Sequence, residues 1–154
     1  MQTNRITLLV NDLDRAITFY TDAFGLTLVE DTQISETKRI VLVAPSTEGV
    51  TLNLATPKSG DEALVGRQAG QRVFIFIDTE NLEIDLTRFA TKQVKIVDGP
   101  RSESFGRCVL VEDLVGNTWE FVERNLKKDR RTEGRLNVQE DGTGHGHPET
   151  IGTP

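Results

Sequence analysis

The chain has 154 residues, with 18 Lys and Arg against 24 Asp and Glu, for a net charge of −6. That balance argues against nucleic acid as the main partner, because neutralising phosphates needs a basic face. No apolar run is long enough to cross a membrane, the single Cys108 excludes an internal disulfide, and no basic stretch followed by an apolar one opens the chain. The expectation is a cytoplasmic protein of one domain, or of two small fused modules sharing a core.

Arg5 to Val10 is β-rich and apolar after Arg5, as in a strand covered on both faces. Asp12 can cap a helix. Leu13, Ala16, Ile17, Tyr20 and Phe24 follow at helical spacing, and Gly25 stops the helix. Strands are predicted over 26–31, 39–44 and 50–55, with Pro45, Gly49 and Pro57 as punctuation. Residues 57–71 read as a polar, Gly-rich connector with one helical turn around 62–65. A second strand follows over 72–78, with Thr79 as the expected cap of a helix whose stripe is Leu82, Leu86 and Phe89. A short strand over 94–97 ends at Gly99-Pro100, and 101–106 reads as a loop. Strands over 107–112 and 118–123 flank the turn Val115-Gly116-Asn117.

The order β-α-β-β-β thus occurs twice, over 1–56 and 72–123. An offset of 67 residues places Gly49 on Gly116, Thr51 on Thr118, Leu52 on Trp119 and Leu54 on Phe121. Shared order with shared register indicates a tandem repeat. From 124 to 154 the character changes: 124–135 carries six Lys or Arg, and only Leu126, Leu136, Val138 and Ile151 are aliphatic. Such a tail buries too little apolar surface to offset its ordering entropy, so mobility is expected. The only histidines, His145 and His147, lie there and are read as solvated.

The stretch VNDLDRAITFYTDAFGL resembles the first strand and helix of the vicinal oxygen chelate superfamily, which includes glyoxalases, bleomycin-resistance proteins and extradiol dioxygenases. EDLVGNTWEFVE resembles that family's closing turn and strand, D-x-x-G-N-x-x-E. The resemblance covers about residues 4–123. It implies a glyoxalase-like α+β fold, with tandem βαβββ modules forming a curved mixed sheet around a cleft, and a homodimer. Metal-dependent members place ligands on the first and last strands of each module. Counting seven residues back from Asp12 gives Arg5, the repeat offset then gives Arg72, and the last-strand positions are Asn53 and Glu120. Arginine has no lone pair for a cation. No cofactor is therefore expected, and a divalent metal is disfavoured.

Alternation predicts Thr7 and Leu9 beside Arg5, and Phe74 and Phe76 beside Arg72, on the cleft side. The candidate ligand-binding set is Arg5, Leu9, Asn53, Arg72, Phe74, Phe76 and Glu120. In one reading the guanidiniums grip an anionic group while the rings cover an apolar body. A plainer reading pairs Arg5 or Arg72 with Glu120 across the sheet. The expected function is metal-free binding of a small molecule. The alternative is a lyase, isomerase or dioxygenase using an irregular metal site or Glu120 as catalytic base. Whether the chain is an enzyme stays open. Cys108, within a strand and lacking a histidine, reads as a buried inert thiol.

Overall fold

The computed structural model describes residues 1–125. Its elements in chain order are β1 (Arg5–Leu9), α1 (Leu13–Thr18), a π-helical turn (Phe19–Ala23), β2 (Thr27–Gln33), β3 (Arg39–Ala44), β4 (Thr51–Ala55), a 3₁₀ turn (Glu62–Leu64), β5 (Val73–Asp78), α2 (Leu82–Thr91), β6 (Ile96–Glu103), β7 (Gly106–Glu112) and β8 (Thr118–Arg124). The α+β fold of paired βαβββ modules is present as two four-stranded mixed sheets, ordered β1-β4-β3-β2 and β5-β8-β7-β6. In each, the first strand runs parallel to the last and the remaining pairs are antiparallel. The tail reading and both histidines fall outside the described residues.

Local chemistry sets the helix starts. Asp12 is extended and its Oδ1 accepts the Arg15 N–H at 3.0 Å, an N-cap that satisfies one orphan donor of α1. The second cap is Asn81, whose Oδ1 accepts the Ile84 N–H at 3.2 Å, and Glu123 takes the Leu82 N–H at 2.7 Å. Thr79, the expected cap, instead gives its hydroxyl to Asp85. The helix predicted to run on to Phe24 changes to π geometry at Phe19, with the Phe24 N–H bonded to the Phe19 carbonyl at 3.4 Å.

The expected short strand and loop over 94–106 are corrected to one edge strand, β6, which runs through Gly99-Pro100. An edge strand has one side without ladder partners, so a proline lacking its N–H is tolerated there. Register shifts on both sides of Asp98 mark the irregularity.

Both modules feed one hydrophobic cluster. Leu8, Val10, Val41, Val43, Leu52 and Leu54 of the first sheet join Val109, Val111, Trp119 and Phe121 of the second. Phe24, from the first module, sits at its centre. Its ring lies 5.8 Å from Phe89, 5.0 Å from Trp119 and 5.4 Å from Phe121, all edge-on. Such pairs add ~0.5–1.5 kcal/mol each beyond the area they bury.

Two polar ties cross between the modules. Arg88 of α2 donates from Nε to the Ala23 carbonyl at 3.0 Å and from Nη2 to the Phe24 carbonyl at 3.3 Å. It thereby caps the end of the first helix with a positive charge. The same guanidinium is fixed by Asp85, a buried carboxylate. Gly25, at φ +71°, leaves it room: a Cβ there would stand 2.9 Å from Cζ of Arg88. The second tie joins Tyr20 to Asp113.

Candidate functional site

The core residues fix which sheet face meets the helices, and the register fixes what lies on the other. On the first sheet, Arg5 pairs with Thr51, Thr7 with Asn53, Leu9 with Ala55, and Leu42 with Asn53. This open face therefore carries Arg5, Thr7, Leu9, Asn53 and Leu42. Leu42 is buried yet stands outside the core cluster, as expected of the opposite face. The free edge of β1 is held by the connector. Gln68 accepts the Leu9 N–H at 2.7 Å and donates to the Thr7 carbonyl at 3.1 Å, so one side-chain amide substitutes for a strand neighbour.

The second sheet departs from the repeat. A shift between Val73 and Ile75 moves β5 along β8, so that Phe76, not Phe74, pairs with Glu120. Past the shift, equivalent positions on the first strands are thus 69 apart, as are the two caps Asp12 and Asn81, while Arg5 and Val73, opposite Thr51 and Thr118, are 68 apart and the last strands keep the offset of 67. Seven residues before Asn81 lies Phe74. The place of Arg5 therefore falls at Val73 by strand pairing and at Phe74 by the count from the cap, and Arg72 stands exposed ahead of the strand. Phe74 packs against the core cluster with Ile75 and Ile77, whereas Phe76 is 65 % exposed. The expectation that Phe74 and Phe76 share one wall with Arg72 is corrected on this ground: the slip, not simple alternation, decides which ring faces out.

Around Glu120 the open face is built by pairing. Leu110 lies opposite Glu120, Val122 opposite Cys108, and Arg101 opposite Cys108. Arg101 pairs with Asp98 and, at 2.7 Å, with Glu103, and its Nη2 stands 3.9 Å from Glu120 Oε1. The carboxylate of Glu120 therefore faces Arg101. No ion pair to Arg5 or Arg72 forms among the described residues. The hydrogen bond to Glu103 holds the Arg101 pKa above its usual value. Burial raises that of the Cys108 thiol, with Arg101 opposing and Glu120 reinforcing the rise. Arg101 and Gln68 escaped the sequence reading. Recognising Asn81 as the cap would have shifted the count to Phe74. Extending β6 past Pro100 would have placed Arg101 opposite Cys108.

The D-x-x-G-N motif holds this strand in place. One oxygen of Asp113 accepts the N–H groups of Val115, Gly116 and Asn117 at 3.1, 3.0 and 2.8 Å. The other accepts the Tyr20 hydroxyl at 2.8 Å, Trp119 Nε1–H at 2.9 Å and the Asn117 amide at 3.1 Å. A buried carboxylate is tolerated when its lone pairs are filled in this way. Tyr20, buried against that charge, has its pKa raised well above the usual phenol value, first by desolvation and then by Asp113. Gly66 packs on the same turn so closely that a Cβ would meet the Val115 carbonyl oxygen at 1.9 Å.

At the positions implied for a metal the chain has Arg5, Asn53, the apolar start of β5 at Val73 and Phe74, and Glu120. A cation, an amide, apolar side chains and one carboxylate do not make a donor set for a divalent ion, which takes three or more N, O or S ligands. Among the described residues, no group of three His, Cys, Asp or Glu side chains is arranged to hold one.

Comparison with known proteins agrees with this architecture. The sequence profile of the Glyoxalase/Bleomycin resistance protein/Dioxygenase superfamily matches residues 2–121. An uncharacterized protein of Shewanella frigidimarina is 39% identical over 126 residues, covering 80% of this chain and 93% of that one. Among solved structures, TnmS3, an antibiotic binding protein from Streptomyces sp. CB03234, superposes with a TM-score of 0.67 at 23% identity, covering 81% of this chain and 97% of that one. A superfamily member from Sphaerobacter thermophilus superposes with a TM-score of 0.64 at 22% identity, covering 80% and 98%. With the profile spanning both modules and the fold matching throughout, the chain belongs to the Glyoxalase/Bleomycin resistance protein/Dioxygenase superfamily.

Proposed function

We propose that this protein binds a small, partly apolar molecule on the open sheet faces, without the metal that serves many superfamily members. The carrying observation is that Arg5, Asn53 and the apolar start of β5 stand where metal ligands would, leaving Glu120 as the one carboxylate. Phe76, largely exposed beside Glu120, offers a ring for an apolar body. Arg5, exposed and without an ion pair among the described residues, is the cation available to an anionic group. Arg101 is already engaged by carboxylates. The likeness to an antibiotic binding protein favours sequestration over turnover. A second copy of the chain is the proposed partner, with the exposed ring of Phe105 as surface for it to cover.

The test is a thermal-shift screen with anionic aromatic compounds on the full chain and on Arg5→Ala, alongside metal analysis and light scattering. The expected result is stabilisation by at least one compound, weakened in Arg5→Ala, with metal far below one ion per chain and a dimer mass. Stoichiometric metal that is lost in Glu120→Gln would replace this reading with that of a lyase, isomerase or dioxygenase. Failure of every compound to stabilise the protein would refute anionic ligand binding.

A further inference from the structure

An open pocket of about 470 Å³ lies on the helix side of the molecule, apart from the open sheet faces. Its walls come from α1, the π-helical turn, and Lys92 at the end of α2. Its floor is Phe19 and Ala23. Both are fastened to the core side by contacts. The Phe19 ring lies 5.3 Å from Tyr20 and 4.9 Å from Phe24, and the Ala23 carbonyl is gripped by Arg88 at 3.0 Å. The π turn is part of the construction: Phe19, Asp22 and Ala23 all line the cavity, and single π turns inside helices recur at functional sites.

The charges around this floor are unequally spent. Asp14 is taken by Arg39 at 2.9 Å. Asp22 meets only the Thr21 hydroxyl, at 3.4 Å. Arg15 and Lys92 make no side-chain ion pair among the described residues. Two cations and one carboxylate therefore remain to face a ligand, over an apolar base. A cavity of this size suits a molecule of modest dimensions, since small-ligand sites run ~300–1,000 Å³. We propose that this helix-side cavity binds a small organic carboxylate with an apolar body: the ring or chain rests on Phe19 and Ala23, and the carboxylate is held by Arg15 and Lys92. The site is independent of the one proposed on the sheet faces.

Phenylacetate is the probe, with phenethylamine as a body of similar shape and opposite charge. Each is titrated into the isotopically labelled full chain, and amide resonances are followed. Phenylacetate is expected to move the amides of Thr18, Phe19, Ala23 and Lys92, and phenethylamine to bind more weakly. The double variant Arg15→Ala/Lys92→Ala changes only exposed side chains and should weaken phenylacetate roughly fivefold, the sum of two exposed ionic contacts. Lys38→Ala removes one like charge from the β2–β3 turn and should leave the affinity unchanged. The proposal is overturned if phenylacetate leaves those amides in place, if the amine binds as tightly, or if the double variant binds as the parent does.

Discussion

The two modules share strand order and differ in register, and their open faces differ accordingly. In the first, β1 lies against β4 without a break, and Arg5 stays where the repeat predicts. In the second, β5 slips on β8, Arg72 falls outside the strand, and apolar residues, Val73 and Phe74, take the corresponding place. The helix faces behave in the opposite way. There the modules are joined, with Phe24 and Tyr20 from one packed among Trp119, Phe121 and Phe89 from the other. Topology is thus repeated where the core must be shared, and side chains diverge where nothing else in the fold constrains them.

The joint should break most readily at Asp113. Replacing it with Ala leaves the Tyr20 hydroxyl, the Trp119 N–H, the Asn117 amide and the turn N–H groups without their acceptor. Each unsatisfied buried group costs ~1–3 kcal/mol, though water will enter part of the site, and a total loss of about 3–5 kcal/mol is expected. Urea unfolding at unchanged m-value measures it. A loss under about 1 kcal/mol would show that the turn holds without the hub.

Arg88→Ala comes next. It strips the cap from two carbonyls of the first helix and leaves the buried Asp85 with Thr79 as its remaining side-chain partner. A cost of about 2–3 kcal/mol follows. Arg88→Lys should recover only part of it, because an ammonium carries its donors on one nitrogen and lacks the planar guanidinium's reach from Nε and Nη2 to the Ala23 and Phe24 carbonyls beside Asp85. Full recovery in Arg88→Lys would reduce the tie to charge alone.

Tyr20→Phe keeps the ring and removes one donor from Asp113, at about 1 kcal/mol. It also carries a pH signature. The folded pKa is raised, so this contribution is intact below the ordinary phenol pKa and is lost as pH climbs above ~10, where only the unfolded chain releases the proton. Tyr20 is the single tyrosine, so phenolate absorbance reports it alone. It should stay absent at alkaline pH until the protein unfolds, and Tyr20→Phe should flatten the alkaline fall in stability. Phenolate appearing at ordinary pH with the fold intact would contradict the burial.

The helix-face joint was largely legible in sequence. Leu52, Leu54, Trp119 and Phe121 alternate as buried strand residues must, and Asp12 announces its helix. The open face of the second module was not. Thr79 and Asn81 are both competent caps, and only the demand of Asp85 for a hydroxyl decides between them. Gly99-Pro100 signals a break by local rules, yet an edge position removes the penalty. Arg101 was hidden by that signal, and Arg72 was promoted by an offset that the last strands obey and the first strands do not. The π turn at Phe19 has no marker in the sequence, because it depends on how Phe24 must reach the second module's rings.

The smallest effect belongs to the open face of the second sheet. Arg101 and Glu120 approach only to 3.9 Å on a partly solvated surface, so a double-mutant cycle should give coupling too small to resolve from additivity. Their influence on Cys108 has a definite sign nonetheless. Glu120 raises the thiol's pKa and Arg101 lowers it. Removing the negative charge in Glu120→Gln should move the midpoint of the pH–rate profile for thiol alkylation downward, and Arg101→Ala should move it upward. Because Cys108 is the only cysteine, the profile has one source. Shifts of the same sign in both variants would mean that access, rather than the charges on this face, governs the thiol.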